Sequence, residues 1–313
     1  MRRFPTLVLT VGALTAGMVA FAAAPALADP LDDYLHEADE ADYSGRLVVV
    51  TVWEGEPTAG MFVIEHAGRR VMIEVGDNEA VIGGGKVTAV SSGASSIAIS
   101  RWTAMGYQSR YAVTTSRAVE RFGRSAESVA IMEGDLLRAR IVFDTATGAP
   151  LSTEVFRPGG GTFRFSTMVE FDPLPRKLYA MAASPGEYDV MVPARASTLP
   201  AQVAGYRLAD SYSGPDEVRH SFYADGLFTF SLFEVEGKVK DDVFADADVF
   251  EVDGSKYRII VRPTQVRVRW TTPDRSYVLV GDLPPDHLEQ VLMELPKPRG
   301  RSFLSRIWTS LFR

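Results

Sequence analysis

Apolar and polar residues alternate with a period of two through most of the chain, and a helical period appears only near its two ends. The clearest alternation runs from His220 to Glu234, His-Ser-Phe-Tyr-Ala-Asp-Gly-Leu-Phe-Thr-Phe-Ser-Leu-Phe-Glu. Its Asp225-Gly226 pair is a dipeptide that supplies the positive φ values of a two-residue turn, so the stretch predicts a β-hairpin. After the turn, Phe228, Phe230 and Leu232 share one strand face, predicted to be the buried one. Thr229, Ser231 and Phe233 share the other, predicted to be free.

Upstream, Asp29 is an N-cap candidate and Pro30 suits the first helical position. Leu31, Tyr34, Leu35 and Ala38 fall on one face, so 29–41 predicts an amphipathic helix. Tyr43-Ser44-Gly45 is expected to end it. The β-branched run Arg46 to Trp53 predicts a strand buried on both faces or nearly so. A meander follows at Met61 to Glu65, Arg70 to Val75, Glu79 to Ile82 and Lys86 to Val90, with turns at Glu54 to Pro57, Ala67-Gly68 and Gly83-Gly84-Gly85. Ser91 to Arg110 reads as a helical or irregular insert, and Arg117 to Phe122 as either a helical turn or a strand. Val129 to Glu133, Leu137 to Phe143, Ser152 to Phe156 and Thr162 to Phe171 restore the strand pattern. About ten strands in one sheet tend to curl, giving a concave apolar face that helices can cover.

Pro173, Pro175, Pro185, Pro193 and Pro200 crowd the stretch 172–200, where neither central strands nor helix interiors tolerate them. The expected organisation is a first domain over 29–174, a proline-rich link over 175–199 and a smaller β-rich domain over 200–296. In the last of these, strands are expected at Arg207 to Ala209, in the hairpin, at Val249 to Val252, at Gln265 to Trp270 and at Tyr277 to Val280. Val266, Val268 and Trp270 point to the core, and Arg267 and Arg269 to water or a partner. Asp286 to Leu295 predicts a short helix burying Leu288, Val291, Leu292 and Leu295. The fold class is α+β, mostly β: a curled antiparallel sheet, or half-open barrel with covering helices, plus a smaller C-terminal β-rich domain.

Composition adds an address. Arg2 and Arg3 precede an apolar run from Leu7 to Ala24, and Ala26-Leu27-Ala28 suits signal peptidase, so residues 1–28 read as a signal peptide. The alternative is a retained membrane anchor, and the paired arginines also raise the twin-arginine route. Either way the expected location is exported, on the periplasmic or extracytoplasmic face of a bacterial membrane. The chain has 313 residues and no cysteine, which excludes disulfides, thiolate metal sites and cysteine nucleophiles. Net charge is −7. Residues 1–28 and 297–313 hold basic residues and no acids, so the body between them is more acidic than the whole, which is not a nucleic-acid-binding surface.

Catalytic signatures are absent. His36, His66, His220 and His287 are too scattered to pair as metal ligands by sequence, and His220 reads as structural. Gly83-Gly84-Gly85-Lys86 lacks the spacing and hydroxyl of a phosphate loop and suits a turn. Asp246-x-Asp248 starts like a calcium loop, but Phe250 and Val252 occupy ligand positions. No nucleophile elbow, dinucleotide fingerprint or zinc-protease motif occurs, and no cofactor is implied. In the tail 297–313, Phe303, Leu304, Ile307, Trp308, Leu311 and Phe312 form a stripe among Arg301, Arg306 and Arg313. Such a basic amphipathic helix either docks on its own domain or meets an anionic membrane or a partner.

Several stretches, in order, resemble the RseB/MucB family of exported regulators of envelope-stress sigma factors. They are Tyr43-Ser44-Gly45, Phe122-Gly123-Arg124-Ser125-Ala126, Phe143-Asp144-Thr145-Ala146-Thr147-Gly148-Ala149-Pro150-Leu151, Leu199-Pro200 through Gly205-Tyr206, the hairpin from His220 with Phe230-Ser231-Leu232-Phe233, and Val280-Gly281-Asp282-Leu283-Pro284. The resemblance implies an N-terminal domain similar to the half-open barrels of LolA/LolB-type lipoprotein carriers and a C-terminal sheet that contacts an anti-sigma factor. It further implies that the protein shields a membrane-spanning anti-sigma factor from regulated proteolysis, with the barrel sensing a lipid or acyl-chain ligand. On that basis the expected partner-binding residues are His220, Tyr223, Asp225, Gly226, Thr229, Ser231 and Phe233. Ala224, where a serine is expected, and the basic tail depart from the family pattern. The rival expectation is a lipid or lipoprotein carrier using the curled sheet as a container.

Overall fold

The computed structural model describes residues 30–67, 110–174, 199–214, 218–237 and 244–298, with the backbone of 70–75, 78–83, 86–89 and 192–193. Residues 1–29, including the stretch expected to be a signal peptide, the stretch 91–109 and the tail stripe from Arg301 to Arg313 lie outside the described residues.

Helix α1 (Pro30–Glu40) leads into a ten-stranded antiparallel sheet. Its strands are β1 (Asp42–Trp53), β2 (Glu56–Ala67), β3 (Arg70–Val75), β4 (Asn78–Gly83), β5 (Lys86–Ala89), β6 (Tyr111–Arg121), β7 (Arg124–Glu133), β8 (Leu136–Asp144), β9 (Pro150–Phe156) and β10 (Thr162–Asp172). They lie in the order β5-β4-β3-β2-β1-β10-β9-β8-β7-β6, so β1 and β10 join two meanders and β5 and β6 are the open edges. The sheet does not close into a barrel.

Two sequence expectations are corrected here. Tyr43-Ser44-Gly45 does not end the helix; it lies inside β1, which begins at Asp42. A β-bulge between Arg46 and Leu47 brings Gly45 so close to β10 that a Cβ there would sit 2.1 Å from the Glu170 carbonyl oxygen, which only glycine avoids. Nor is β1 buried on both faces: Val49 and Thr51 are buried, while Val48 and Val50 on the opposite face are half-buried. The open alternative at Arg117 to Phe122 resolves as strand β6.

A second antiparallel sheet follows. It contains β11 (Val192–Pro193), β12 (Gln202–Val203), β13 (Tyr206–Ser213), β14 (Arg219–Ala224), β15 (Thr229–Glu236), β16 (Asp248–Val252), β17 (Ser255–Val261), β18 (Val266–Thr271) and β19 (Arg275–Gly281). The order is β11-β13-β14-β15-β19-β18-β17-β16, with β12 paired to β13. Helix α2 (Pro285–Glu294) then buries Leu288, Val291 and Leu292, as its periodicity predicts, with Leu295 following them into the core. Strand β17 was not anticipated. It is joined to β16 by Asp253-Gly254, whose φ values of 48° and 69° are those of a two-residue type I′ turn.

In β18, Val266, Val268 and Trp270 are buried as expected, but Arg269 is buried too, with its guanidinium carbon 5.8 Å from the Phe244 ring centre. The expectation that both arginines face water or a partner is corrected for Arg269, which is buried beside Phe244, while Arg267 is half-buried. One apolar core runs through both sheets: Leu31 and Leu35 of α1 and Val129, Ile131 and Ile141 of the first sheet are continuous with Phe230, Leu232, Leu279 and Leu288 of the second unit. A smaller cluster around Tyr43, Val49, Phe62, Ile64 and Met168 lies under the concave face.

Candidate ligand cavity and hairpin loop

The concave face of the first sheet encloses a cavity of about 170 Å³ where the two sheets meet. Alternation decides its walls. Leu47, Val49 and Thr51 of β1 point inward, and their cross-strand partners on β10 are Met168, Ser166 and Arg164. Phe62, Ile64 and His66 of β2, Val155 of β9 and Ala38 of α1 also line the sheet side, together with the polar Asp39, Tyr43, Ser152 and Thr153. His66 is stacked on Tyr43 at 4.9 Å with Nδ1 2.6 Å from the Ala41 carbonyl, and burial lowers its pKa. From the second unit come Leu227 and Phe228 of the hairpin loop, Thr264 and Asp282.

The hairpin loop differs from the predicted two-residue turn. Ala224 pairs with Thr229, so residues 225–228 form a four-residue loop in which only Gly226 has positive φ, at 98°. The loop is held by the buried Asp225 carboxylate. Its Oδ1 accepts from the amides of Leu227 (3.1 Å) and Phe228 (2.8 Å), and its Oδ2 accepts from the Tyr111 hydroxyl of β6 (2.6 Å). Arg110 Nη1 lies 3.7 Å away. Burial raises the Asp225 pKa, with the Tyr111 hydrogen bond acting against that rise. The dipeptide that signalled a turn therefore ties the hairpin to the first sheet.

The rest of the junction is also polar and paired. Arg138, only 2% exposed, donates to both carboxylate oxygens of Asp286 (3.1 and 2.8 Å), to Glu133 (2.7 Å) and to the Phe156 carbonyl (3.1 Å). The Tyr206 hydroxyl lies 2.6 Å from His287 Nδ1, and His287 Nε2 lies 3.0 Å from Glu133 Oε2. Glu133 also accepts from Arg110. Burial works against ionising Glu133, but His287 and Arg110 outweigh it and bring its pKa down to about 2. These groups come from β7, β8, β9, β13 and α2 and from Arg110, the residue before β6, so they lock the two sheets in one arrangement.

At the cavity end of the junction the pairing is incomplete. Arg164 donates through Nε to Thr51 Oγ1 (2.9 Å) and through Nη1 to the Asp282 carbonyl (3.2 Å), while Thr51 Oγ1 donates to the Pro263 carbonyl (2.6 Å). Its Nη2 is buried without a hydrogen-bond partner. Burial pulls the Arg164 pKa down to about 10, opposed by Asp282. Burial likewise pushes Asp282 up to about 6, with Arg164 acting against it. The Asp282 side chain is turned to β15: Oδ1 accepts from the Thr229 amide (2.8 Å), and the Asp282 amide donates to the Thr229 carbonyl (3.2 Å). Gly281 permits this approach, since a Cβ there would meet the Thr229 oxygen at 2.6 Å.

The seven residues singled out in the hairpin divide. Tyr223, Asp225 and Thr229 are buried and engaged internally, so the expected exposure of Thr229 is corrected: the Asp282 loop covers it. The Tyr223 hydroxyl donates to the Pro200 carbonyl (2.8 Å), and its ring stacks on Phe230. Gly226 is half-buried beside the cavity residue Leu227. His220, Ser231 and Phe233 remain half-buried together on the outer face, as a stack of His220 on Phe233 (4.5 Å, 8°) with His220 Nε2 2.9 Å from Ser231 Oγ. Phe228, Phe230 and Leu232 are buried, as the alternation predicts. The polar junction was missed, although Arg164 at an inward position between Phe163 and Phe165 is a local signal for it.

No family model and no curated protein matches the chain. Among solved structures, the crystal structure of MucB is 20% identical, with a TM-score of 0.50 over 84% of this chain and 95% of MucB. The chain has the MucB fold. The complex of Pseudomonas aeruginosa MucA and MucB is also similar, at 20% identity and a TM-score of 0.49 over 86% of this chain and 99% of that one. A LolA superfamily protein from Nitrosomonas europaea gives 8% identity and a TM-score of 0.19 over 82% of this chain and 96% of that one.

Proposed function

We propose that this chain is an exported, non-enzymatic regulator that binds the extracytoplasmic segment of a membrane-spanning anti-sigma factor and shields it from proteolysis. The observation that carries the reading is the MucB fold over 95% of MucB's length, together with the ordered resemblance motifs from Tyr43 to Pro284. MucB forms a complex with MucA. The partner proposed here would meet the outer face around His220, Ser231 and Phe233, with the basic tail contacting the partner or an anionic membrane.

The mechanism is occlusion. A bound segment is out of reach of a protease, and a cavity ligand that favours the partner-free arrangement lowers the occupied fraction by its differential affinity for the two states. The polar junction is suited to such coupling because it makes the relation of the two sheets discrete rather than loose. Affinity capture from cell envelopes tests the reading: it should return a one-span membrane protein with a sigma-binding cytoplasmic domain. Capture without such a protein would refute it.

The cavity favours a second reading, in which the chain carries a lipid or lipoprotein acyl group. Native mass spectrometry separates the two, since a carrier retains acyl ligands through purification.

A further inference from the structure

Alternation in the second sheet turns Ile260 of β17, Val278 and Val280 of β19, Phe233 of β15 and Phe222 of β14 to its outer face. All five are half-buried, while the alternate residues Leu232 and Leu279 are sealed in the core. Cross-strand pairing makes them one surface: Ile260 lies beside Arg267, Arg267 beside Val280, Val280 beside Ser231 and Ser231 beside Phe222. Five adjacent strands at a spacing of about 4.8 Å make it about 19 Å wide. A contiguous apolar face on the outside of a sheet marks an interaction site. Arg267 sits within it. Its Nε is buried without a partner, whereas its terminal nitrogens are not sealed and form no hydrogen bond or ion pair among the described residues. The loop 244–247 engages the neighbouring Arg258, which donates to the carbonyls of Phe244 (3.2 Å) and Ala245 (3.3 Å), and Arg269 beside the Phe244 ring. Arg267 and the exposed Arg262 make no such contact. Burial, and then the charge of Arg262, lower the Arg267 pKa, as expected of a cation that faces another cation and no carboxylate.

We propose that this face seats an acidic amphipathic helix of the partner, its apolar stripe on Val278, Val280 and Phe233 and a carboxylate on Arg267 and Arg262. This rests on the proposed function and adds the chemistry of the bound segment. A helix suits the middle of a sheet face, where the backbone is already paired and cannot take another strand, and about 13 residues at about 1.5 Å each cross a width of about 19 Å. Charge selects the occupant. The tail 297–313 also carries an apolar stripe, but Arg301, Arg306 and Arg313 flank it and would meet the two unpaired arginines with like charge. The rest of the body is acidic on balance, which repels an acidic segment elsewhere and steers it to this face.

Fluorescence anisotropy of the full mature chain tests this with two labelled amphipathic peptides of about 14 residues, identical in a stripe of leucines at i, i+3, i+4 and i+7 and differing only in glutamate or lysine on the flanks. The glutamate peptide should bind about tenfold or more tighter than its lysine twin at about 0.05 M salt, and the ratio should shrink at about 0.5 M. The double variant R262Q/R267Q should bring the ratio near one, and V280D should weaken both peptides. Equal binding of the two peptides, binding of neither, or a preference that survives R262Q/R267Q would overturn the proposal. So would binding to phosphatidylglycerol vesicles that exceeds binding to the glutamate peptide and is lost in V280D, because the face would then meet a membrane. Envelope capture keeps the function separate. A one-span anti-sigma protein retained equally by wild type and R262Q/R267Q would overturn this face and leave the function standing, whereas the expected peptide ratios with no such protein captured would do the reverse. Arg262 and Arg267 have no internal ion pair to lose, so the double variant should fold, and it decides the question if V280D does not.

Discussion

Replacing Asp225 by alanine should destabilise the protein far more than its place in a hairpin loop suggests. The carboxylate accepts three hydrogen bonds, two from the loop amides of Leu227 and Phe228 and one from the Tyr111 hydroxyl across the junction. Bonds to a charged acceptor contribute about 1.5–3 kcal/mol each in isolation, and all three donors would lose their acceptor where water has little access. Against that stands the cost of burying the carboxylate, whose sign is given by its raised pKa. The balance is a loss of about 3 kcal/mol, or about 6–12 °C in Tm for a protein of this size class. Asp225→Asn keeps Oδ1 for the loop amides and should cost about 1 kcal/mol. Urea unfolding followed by tryptophan fluorescence measures both variants. An alanine variant within about 0.5 kcal/mol of wild type, or an asparagine variant as damaged as the alanine one, would refute this account of the loop.

Asp282, raised from 3.8 to about 6, favours the folded state when protonated, so its contribution is present below pH 3.8 and is lost as pH rises to about 6. The difference is about 3 kcal/mol, and Asp282→Asn should flatten the stability profile across that window in denaturant titrations at stepped pH. His220 has the opposite sign: burial brings its pKa from 6.5 to about 4, so stability present above pH 6.5 is lost as pH falls through 4, and His220→Phe should remove that acid limb. Gly45→Ala places a Cβ on the Glu170 carbonyl and should cost about 2–4 kcal/mol by thermal melting; a neutral result would mean that β1 and β10 approach less closely than described. Phe233→Ser removes the half-buried ring stacked on His220 and should weaken partner capture with the circular dichroism spectrum unchanged, whereas loss of folding would place Phe233 in the core instead.

The elements legible in the sequence were those whose pattern is local. Helix α1 follows from Leu31, Leu35 and Ala38 on one face, α2 from Leu288, Val291 and Leu292, and most strands from simple alternation. Turn chemistry was less direct. Asp225-Gly226 looked like a two-residue turn but begins a four-residue loop, because Asp225 spends its carboxylate on the loop's own amides and on Tyr111. Asp253-Gly254 makes the true two-residue turn, and strand β17 behind it carries the ordinary period of two, Lys256 and Arg258 alternating with the buried Tyr257 and Ile259, so it was legible in the sequence as well. The junction was illegible for a different reason. Arg138 meets Asp286 across 148 positions and Tyr111 meets Asp225 across 114, so no spacing rule links them. Burial of those charges became readable only when the two sheets were placed together.

The central claim is tested most directly by reconstituted proteolysis: the membrane-anchored anti-sigma protein recovered by capture, its site protease, and this chain added in increasing amount. Cleavage should slow in proportion to the fraction bound, and Phe233→Ser should protect only at higher concentration. An unchanged cleavage rate at saturating chain, with binding demonstrated in the same sample, would contradict occlusion as the mechanism.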